Sequence, residues 1–152
     1  FGQAASVFAL SRVPGREVSE GSWRVTLPNM FALAENGDYF EGPGINVALT
    51  RGAAPEGSGA QPPQQLADRL SRDSGIVFSF ERTEQINGRT WHFFRSAQNV
   101  SGTFALTHQG NEEFGVVAFC SLEYPENGRA VTEYLVSTVK WGPKDPSPGS
   151  TN

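Results

Sequence analysis

Apolar and polar residues alternate with a period of two along most of this chain. Trp23, Val25 and Leu27 alternate with Arg24 and Thr26 until Pro28 stops the run. Ile45, Val47 and Leu49 alternate with Asn46, Ala48 and Thr50, and Ile76, Phe78 and Phe80 alternate with Val77, Ser79 and Glu81. Successive side chains of a strand point to opposite faces, so each run predicts a strand with one apolar and one more polar face. Further on, Arg89 to Arg95 carries Trp91 and Phe93, and Gly102 to His108 sets Phe104 and Leu106 against Thr103, Ala105 and Thr107. Glu113 to Ser121 is the most apolar run, with Phe114, Val116, Ala118 and Cys120 on one side and Val117 and Phe119 on the other. A strand that is apolar on both faces is covered on both, which predicts a central position in the sheet. Asn87-Gly88 and Gln109-Gly110-Asn111 supply tight turns, and consecutive strands joined this way form an antiparallel meander.

Two segments leave this period. Leu66, Ala67 and Leu70 follow Pro62-Pro63 and precede Gly75. Prolines ahead of the first turn and a glycine past the last predict a short amphipathic helix there. Val131, Tyr134, Leu135 and Thr138/Val139 recur at helical spacing, with Asn127 or Gly128 as a cap and Glu133 near the start. The β-branched content leaves a strand open as the alternative, and the spacing favours the helix. Arg51 to Pro63, rich in Gly, Pro and Ala, reads as a mobile loop. Gly142 to Asn152, with three prolines and no apolar residue, reads as a disordered or extended tail. No internal repeat is present. The fold class is therefore α+β, an antiparallel sheet of about five to seven strands packed with two helices in one domain spanning 1–141.

Composition narrows the function classes. The chain has 152 residues, enough for one domain, and 38% are hydrophobic against 18% charged. Such a chain buries a core, which excludes wholesale disorder. Twelve basic and 16 acidic side chains give a net charge of -4, which argues against nucleic acid, whose phosphates call for a basic patch. The basic residues are 10 Arg and only 2 Lys, a bias that a GC-rich bacterial genome would produce. No apolar run nears the roughly 18 residues of a membrane span. One Cys excludes an intramolecular disulfide, and one Cys with two His argues against a structural zinc site. The sequence opens at Phe1 without Met, which leaves a removed signal peptide and an artificial boundary as open alternatives.

Catalytic chemistry finds little purchase. Cys120 lies in the apolar strand and reads as a small buried hydrophobe rather than a nucleophile. His92 faces away from Trp91 and Phe93 by alternation, and His92 and His108 read as polar-face or turn-end residues. No Gly-x-Ser-x-Gly elbow and no phosphate-binding loop occur. Asp38, Glu41, Glu112 and Glu113 are the candidate carboxylates for acid–base work, and exposed loop charges are the simpler reading. Glu35-Asn36-Gly37-Asp38 offers three oxygens but lacks a calcium-loop pattern. Asn99-Val100-Ser101 matches a glycosylation sequon, which matters only in a eukaryotic secretory setting. No catalytic residue, metal or cofactor is expected. Surface recognition remains. Asp38, Tyr39, Phe40 and Glu41 in one loop and Asn111, Glu112 and Glu113 in another are the partner-binding candidates, aromatic anchors beside a carboxylate rim. Packing of Tyr39 and Phe40 onto the sheet is the alternative.

The order of parts also carries a resemblance. Trp23-Arg-Val-Thr-Leu-Pro28 with Phe31, Ile86-Asn-Gly88 before an aromatic strand, and a terminal helix running into Thr138-Val139-Lys140-Trp141 resemble the PsbP-like family. That family includes photosystem PsbP proteins, a Ran-binding nuclear import factor and many bacterial lipoproteins and secreted proteins. The resemblance spans roughly Ser22 to Trp141. It implies an antiparallel sheet sandwiched by helices and a non-enzymatic role. Some periplasmic immunity proteins that neutralise peptidoglycan-cleaving effectors of type VI secretion look similar in architecture. The expected function is accordingly a non-catalytic, periplasmic or otherwise exported bacterial binding protein. Its most concrete form is an immunity protein that plugs the active-site cleft of a basic peptidoglycan hydrolase. An envelope lipoprotein or assembly accessory is the alternative, and a hydrolase the third reading.

Overall fold

The alternating runs pair into two antiparallel sheets. The structure is a computed structural model that describes residues 10–53, 62–97 and 101–142. Most of the loop expected over 51–63, the first two sequon residues, and the tail beyond Gly142 lie outside these residues. The strands are β1 (Gly15–Glu20), β2 (Trp23–Pro28), β3 (Ala32–Leu33), β4 (Phe40–Gly42), β5 (Ile45–Ala53), β6 (Ser79–Ile86), β7 (Arg89–Ala97), β8 (Ser101–Gln109), β9 (Glu112–Cys120) and β10 (Lys140–Trp141). Two helices interrupt them, α1 (Pro63–Ser74) and α2 (Pro125–Thr138). Seven strands form the large sheet in the order β3-β4-β5-β9-β8-β7-β6, and β1-β2-β10 form a small one.

The doubly apolar strand β9 lies at the centre of the large sheet, between β5 and β8. Phe114, Val116, Ala118 and Cys120 face α2 and the small sheet, in one core with Trp23, Val25, Leu27, Trp91, Phe93, Val131 and Leu135. Val117 faces the other way, in a second core with Leu66, Ala67 and Leu70 of α1 and with Phe78, Phe94 and Phe104. Both helices are where apolar spacing puts them. Pro63 opens α1 at its first turn, and Gly75, with φ 74°, ends it in the left-handed conformation. α2 starts at Pro125, ahead of the expected Asn127 or Gly128, and both of those are buried inside it. Gly128 lets the helix close on β9, because a Cβ there would lie 3.1 Å from Cys120 Sγ.

α2 does not run into Lys140-Trp141. It stops at Thr138, Val139 turns extended with ψ 132°, and Lys140-Trp141 pairs with Arg24 and Trp23 of β2. The next residue extends this pairing, since Gly142 N–H donates to Ser22 O at 3.1 Å. Asn87 and Gly88, at φ 53° and 77°, form the turn between β6 and β7, the positive-φ pair a tight hairpin needs. At the outer edge of the large sheet, Glu81 marks a β-bulge in β6 and receives Arg82, Arg129 and, at 3.5 Å, Arg95. Arg82 also reaches Glu133 of α2 at 2.9 Å. Charges along an edge strand discourage pairing with another chain.

Gly115 makes room on the α1 face. A Cβ there would lie 2.5 Å from Phe104 and 2.6 Å from the Thr50 hydroxyl, atoms on both neighbouring strands of a buried sheet. Gly115→Ala should therefore destabilise by about 1–3 kcal/mol, as overpacking does. Urea unfolding reads this as a lower midpoint at unchanged slope. A midpoint equal to wild type would show that the sheet opens there without cost.

Candidate functional site

Strand register assembles one open cleft at the end of the large sheet. Gly52 pairs with Glu113 and Ala53 with Glu112, so the end of β5 lies beside the β8–β9 turn. Gly110, at φ 60°, makes that turn. The small sheet supplies the third wall, because Trp141 pairs with Trp23 of β2 and packs edge-on against its ring at 6.4 Å. The resulting cleft has a volume of about 620 Å³ and is lined by Arg51, Gly52, Gln109, Asn111, Glu112 and Trp141, among others. Trp141 is 41% exposed. Arg51 stands 3.5 Å from the Glu112 carboxylate. Arg89 donates to Gln109 Oε1 at 2.7 Å and lies over the Trp23 ring. Burial pushes the Arg89 guanidinium below its ordinary value.

Glu113 points to the opposite face from Glu112, as successive strand residues must. There Arg69 of α1 donates to both of its oxygens, at 3.0 and 2.6 Å, and His108 Nε2 donates at 3.0 Å. Burial works to raise its pKa, but the hydrogen bonds from His108 and Arg69 and the Arg69 charge outweigh it and hold the carboxyl at about 2. His92 sits on the same face with Thr83 Oγ1 at 2.8 Å from Nδ1. Burial first, and then His108, lowers its pKa. A carboxylate saturated by three donors and fixed in its ionised form is not a general acid. Among the described residues no three His, Cys, Asp or Glu side chains are grouped to hold a metal.

The second expected loop lies elsewhere. The β3–β4 hairpin pairs Ala32 with Glu41 and Leu33 with Phe40. Phe40 is level with Val47 and Ala118, roughly 20 Å along the strands from Glu112. Phe40 packs against the larger core. Tyr39 O–H donates to Glu41 at 3.2 Å, a bond that raises the phenol pKa. Asn36 Oδ1 accepts from the Asp38 N–H. Leu33 is left 59% exposed, and Glu35, Asp38 and Glu41 of the same segment are exposed as well, Glu41 on the opposite face because it pairs with Ala32.

No family model and no curated protein matches this sequence. Solved structures do match its shape. The solution structure of cyanobacterial PsbP (CyanoP) from Synechocystis sp. PCC 6803 superposes with a TM-score of 0.60 at 7% identity, over 84% of this chain and 92% of that one. The chain has a PsbP-like fold. A crystal structure of a protein from Bacteroides thetaiotaomicron VPI-5482 also superposes, with a TM-score of 0.50 at 17% identity over 87% of this chain, which spans 51% of that one.

Within this PsbP-like fold the seven candidate residues divide into three places. Asp38, Tyr39, Phe40 and Glu41 share the hairpin, Asn111 and Glu112 line the cleft, and Glu113 is tied to α1. Cys120 is buried as expected, its Sγ 3.3 Å from Tyr124 O. Sequence reasoning did not single out Arg51, Gln109 or Trp141 as site residues. The readable signal was Lys140-Trp141 just past a helix end, a dipeptide with a large aromatic and no helical partner. Chemically, the cleft of the PsbP-like domain offers an aromatic face, two amides and a cation–anion pair.

Proposed function

We propose that this chain is a non-catalytic, exported bacterial binding protein that docks a basic protein partner through its β3–β4 hairpin. Its concrete form is an immunity protein that inhibits a periplasmic cell-wall-degrading effector by plugging its active-site cleft. One observation carries this reading: Leu33, 59% exposed, shares one short hairpin with the exposed Glu35, Asp38 and Glu41. An apolar anchor with a polar rim is the anatomy of an interface centre. The hairpin thus presents one exposed apolar side chain and three exposed carboxylates within a short stretch of chain. The net charge of -4 adds a long-range field that speeds encounter with a cationic partner. Enzymes that work on an anionic cell wall gain from a basic cleft, which the carboxylates of this hairpin would meet with opposite charge.

The test reads the genes that flank this one for a secreted peptidoglycan hydrolase and assays inhibition of that purified enzyme; finding no such gene would count against the reading. The expected result is one-to-one inhibition that weakens at least tenfold in Leu33→Asp and again in the Asp38→Asn, Glu41→Gln double variant. Failure of the wild-type protein to inhibit, or full inhibition by Leu33→Asp, would overturn the reading.

A further inference from the structure

We propose that the cleft between the β8–β9 turn and Trp141 binds a neutral oligosaccharide. One sugar ring lies on the Trp141 indole, and its hydroxyls are held by Arg51, Glu112, Gln109 and Asn111. This site does not rest on the hairpin reading, since the two lie roughly 20 Å apart along the strands.

The aromatic face comes first. Trp141 is fixed by pairing with Trp23, by the edge-on contact with the Trp23 ring at 6.4 Å and by the Gly142–Ser22 hydrogen bond. Yet it stays 41% exposed at the cleft wall. A large apolar surface held rigid and left wet is ready to be covered without an ordering cost. The ligand that covers it must have one flat C–H face and a rim of hydroxyls, because the rest of the wall is polar.

The polar wall is matched to hydroxyls. A hydroxyl both donates and accepts, and the cleft offers both roles. Glu112 Oε1 is shielded from solvent and faces Arg51 Nη1 at 3.5 Å without a hydrogen bond among the described residues. The Glu112 side chain as a whole stays 27% exposed, so the carboxylate supplies the acceptor role through its exposed part. Arg51, with a side chain 45% exposed, supplies N–H donors. Gln109 has its oxygen occupied by Arg89, which orients the carboxamide and leaves its NH₂ as a donor. Asn111 is exposed and carries both functions.

Charge selects against other ligand classes. Arg51 and Glu112 face each other at 3.5 Å, so the cleft's own cation and anion cancel. A phosphate or a carboxylate ligand would meet Glu112, and a cationic one would meet Arg51. A neutral polyol meets neither penalty and bridges both groups. The volume of about 620 Å³ falls inside the usual range for small-molecule sites, about 300–1,000 Å³. Gly52 and Gly110 bring no side chain into the lining, and a Cβ at either would meet nothing within 4 Å.

The experiment titrates the ¹⁵N-labelled protein with chitotriose, cellotriose and maltotriose, and separately with inorganic phosphate. At least one trisaccharide should shift the amides of 51–53, 109–112 and 141 and leave those of 32–41 in place. Trp141→Ala should weaken that binding at least tenfold, about 1.4 kcal/mol, and Asn111→Ala should weaken it more modestly. Trp141→Phe should restore part of it, and Leu33→Asp should leave it unchanged. Asn111→Ala, a change at an exposed turn, keeps the test valid should Trp141→Ala perturb folding. The proposal is overturned if no trisaccharide binds up to about 10 mM. It is equally overturned if phosphate binds more tightly than every trisaccharide, or if Trp141→Ala and Asn111→Ala bind as the wild type does.

Discussion

Replacing Trp23 with Ala should lower the unfolding free energy by about 3–5 kcal/mol, the range for a buried Trp or Phe truncated to Ala. Trp23 is fully buried, and its ring lies parallel to Phe114 at 4.7 Å. It is the point where the small sheet seats on the large one: Trp23, Val25 and Leu27 of β2 face Phe114 and Val116 of β9 in one core. Its indole N–H has no acceptor among the described residues, so no hydrogen bond offsets the loss of packing in either direction. The Arg89 guanidinium, held 5.0 Å from the ring centroid, loses an aromatic partner as well. Trp141 loses the ring that supports it, so the cleft should loosen before the domain unfolds. Denaturant unfolding measures the first effect, and hydrogen exchange at 140–142 measures the second. A loss below about 1 kcal/mol would mean that the two sheets are held by other contacts.

The difference between what was readable in the sequence and what was not follows from the range of the interactions. β9 was legible because two apolar faces on one strand leave a single solution, burial on both sides. Asn87-Gly88 was legible because its backbone conformation is a local property, and Pro63 and Gly75 bracketed α1 for the same reason. β1 was not, since Val18 is the lone apolar residue of Gly15–Glu20 and its pairing with β2 sets the structure. β3, β4 and β10 are too short for periodicity to register. The helix expected to run into Lys140-Trp141 ends instead at Thr138, because a tertiary contact decides it. Thr138 Oγ1 accepts the Thr26 N–H at 3.0 Å, which meets a β2 donor and turns the chain toward β10. The cleft depends on that same pairing of Trp141 with Trp23 across most of the chain, and no local pattern encodes it. The adjacent acids Glu112 and Glu113 show the boundary between the two cases. Alternation fixes that they face opposite ways, but which partners wait on each face is written in β5 and α1.

Those partners make Glu113 the second large effect. The group's folded pKa of about 2 lies below its ordinary value of 4.5. A depressed carboxyl contributes stability that is present above the unfolded value and is lost as pH falls through the folded one. The window is therefore pH 4.5 down to 2. The gap of about 2.5 pH units, at about 1.4 kcal/mol each, is worth on the order of 3 kcal/mol. Glu113 and Arg69 side chains are each only 14% exposed, so little of this is lost to solvent screening. Glu113→Gln should cost about 3 kcal/mol at pH 7, because the Arg69 cation is left against α1 without its bidentate acceptor. The same variant should lose the extra acid sensitivity. The wild-type advantage over Glu113→Gln should shrink progressively between pH 4.5 and 2 and vanish below that. Subtracting the two curves removes the other carboxylates, including Glu81, which titrate in both proteins. Adding Arg69→Met to Glu113→Gln should recover part of the loss, since it takes away the unpaired cation. A constant difference between the two proteins across the acid range would show that Glu113 contributes packing rather than charge.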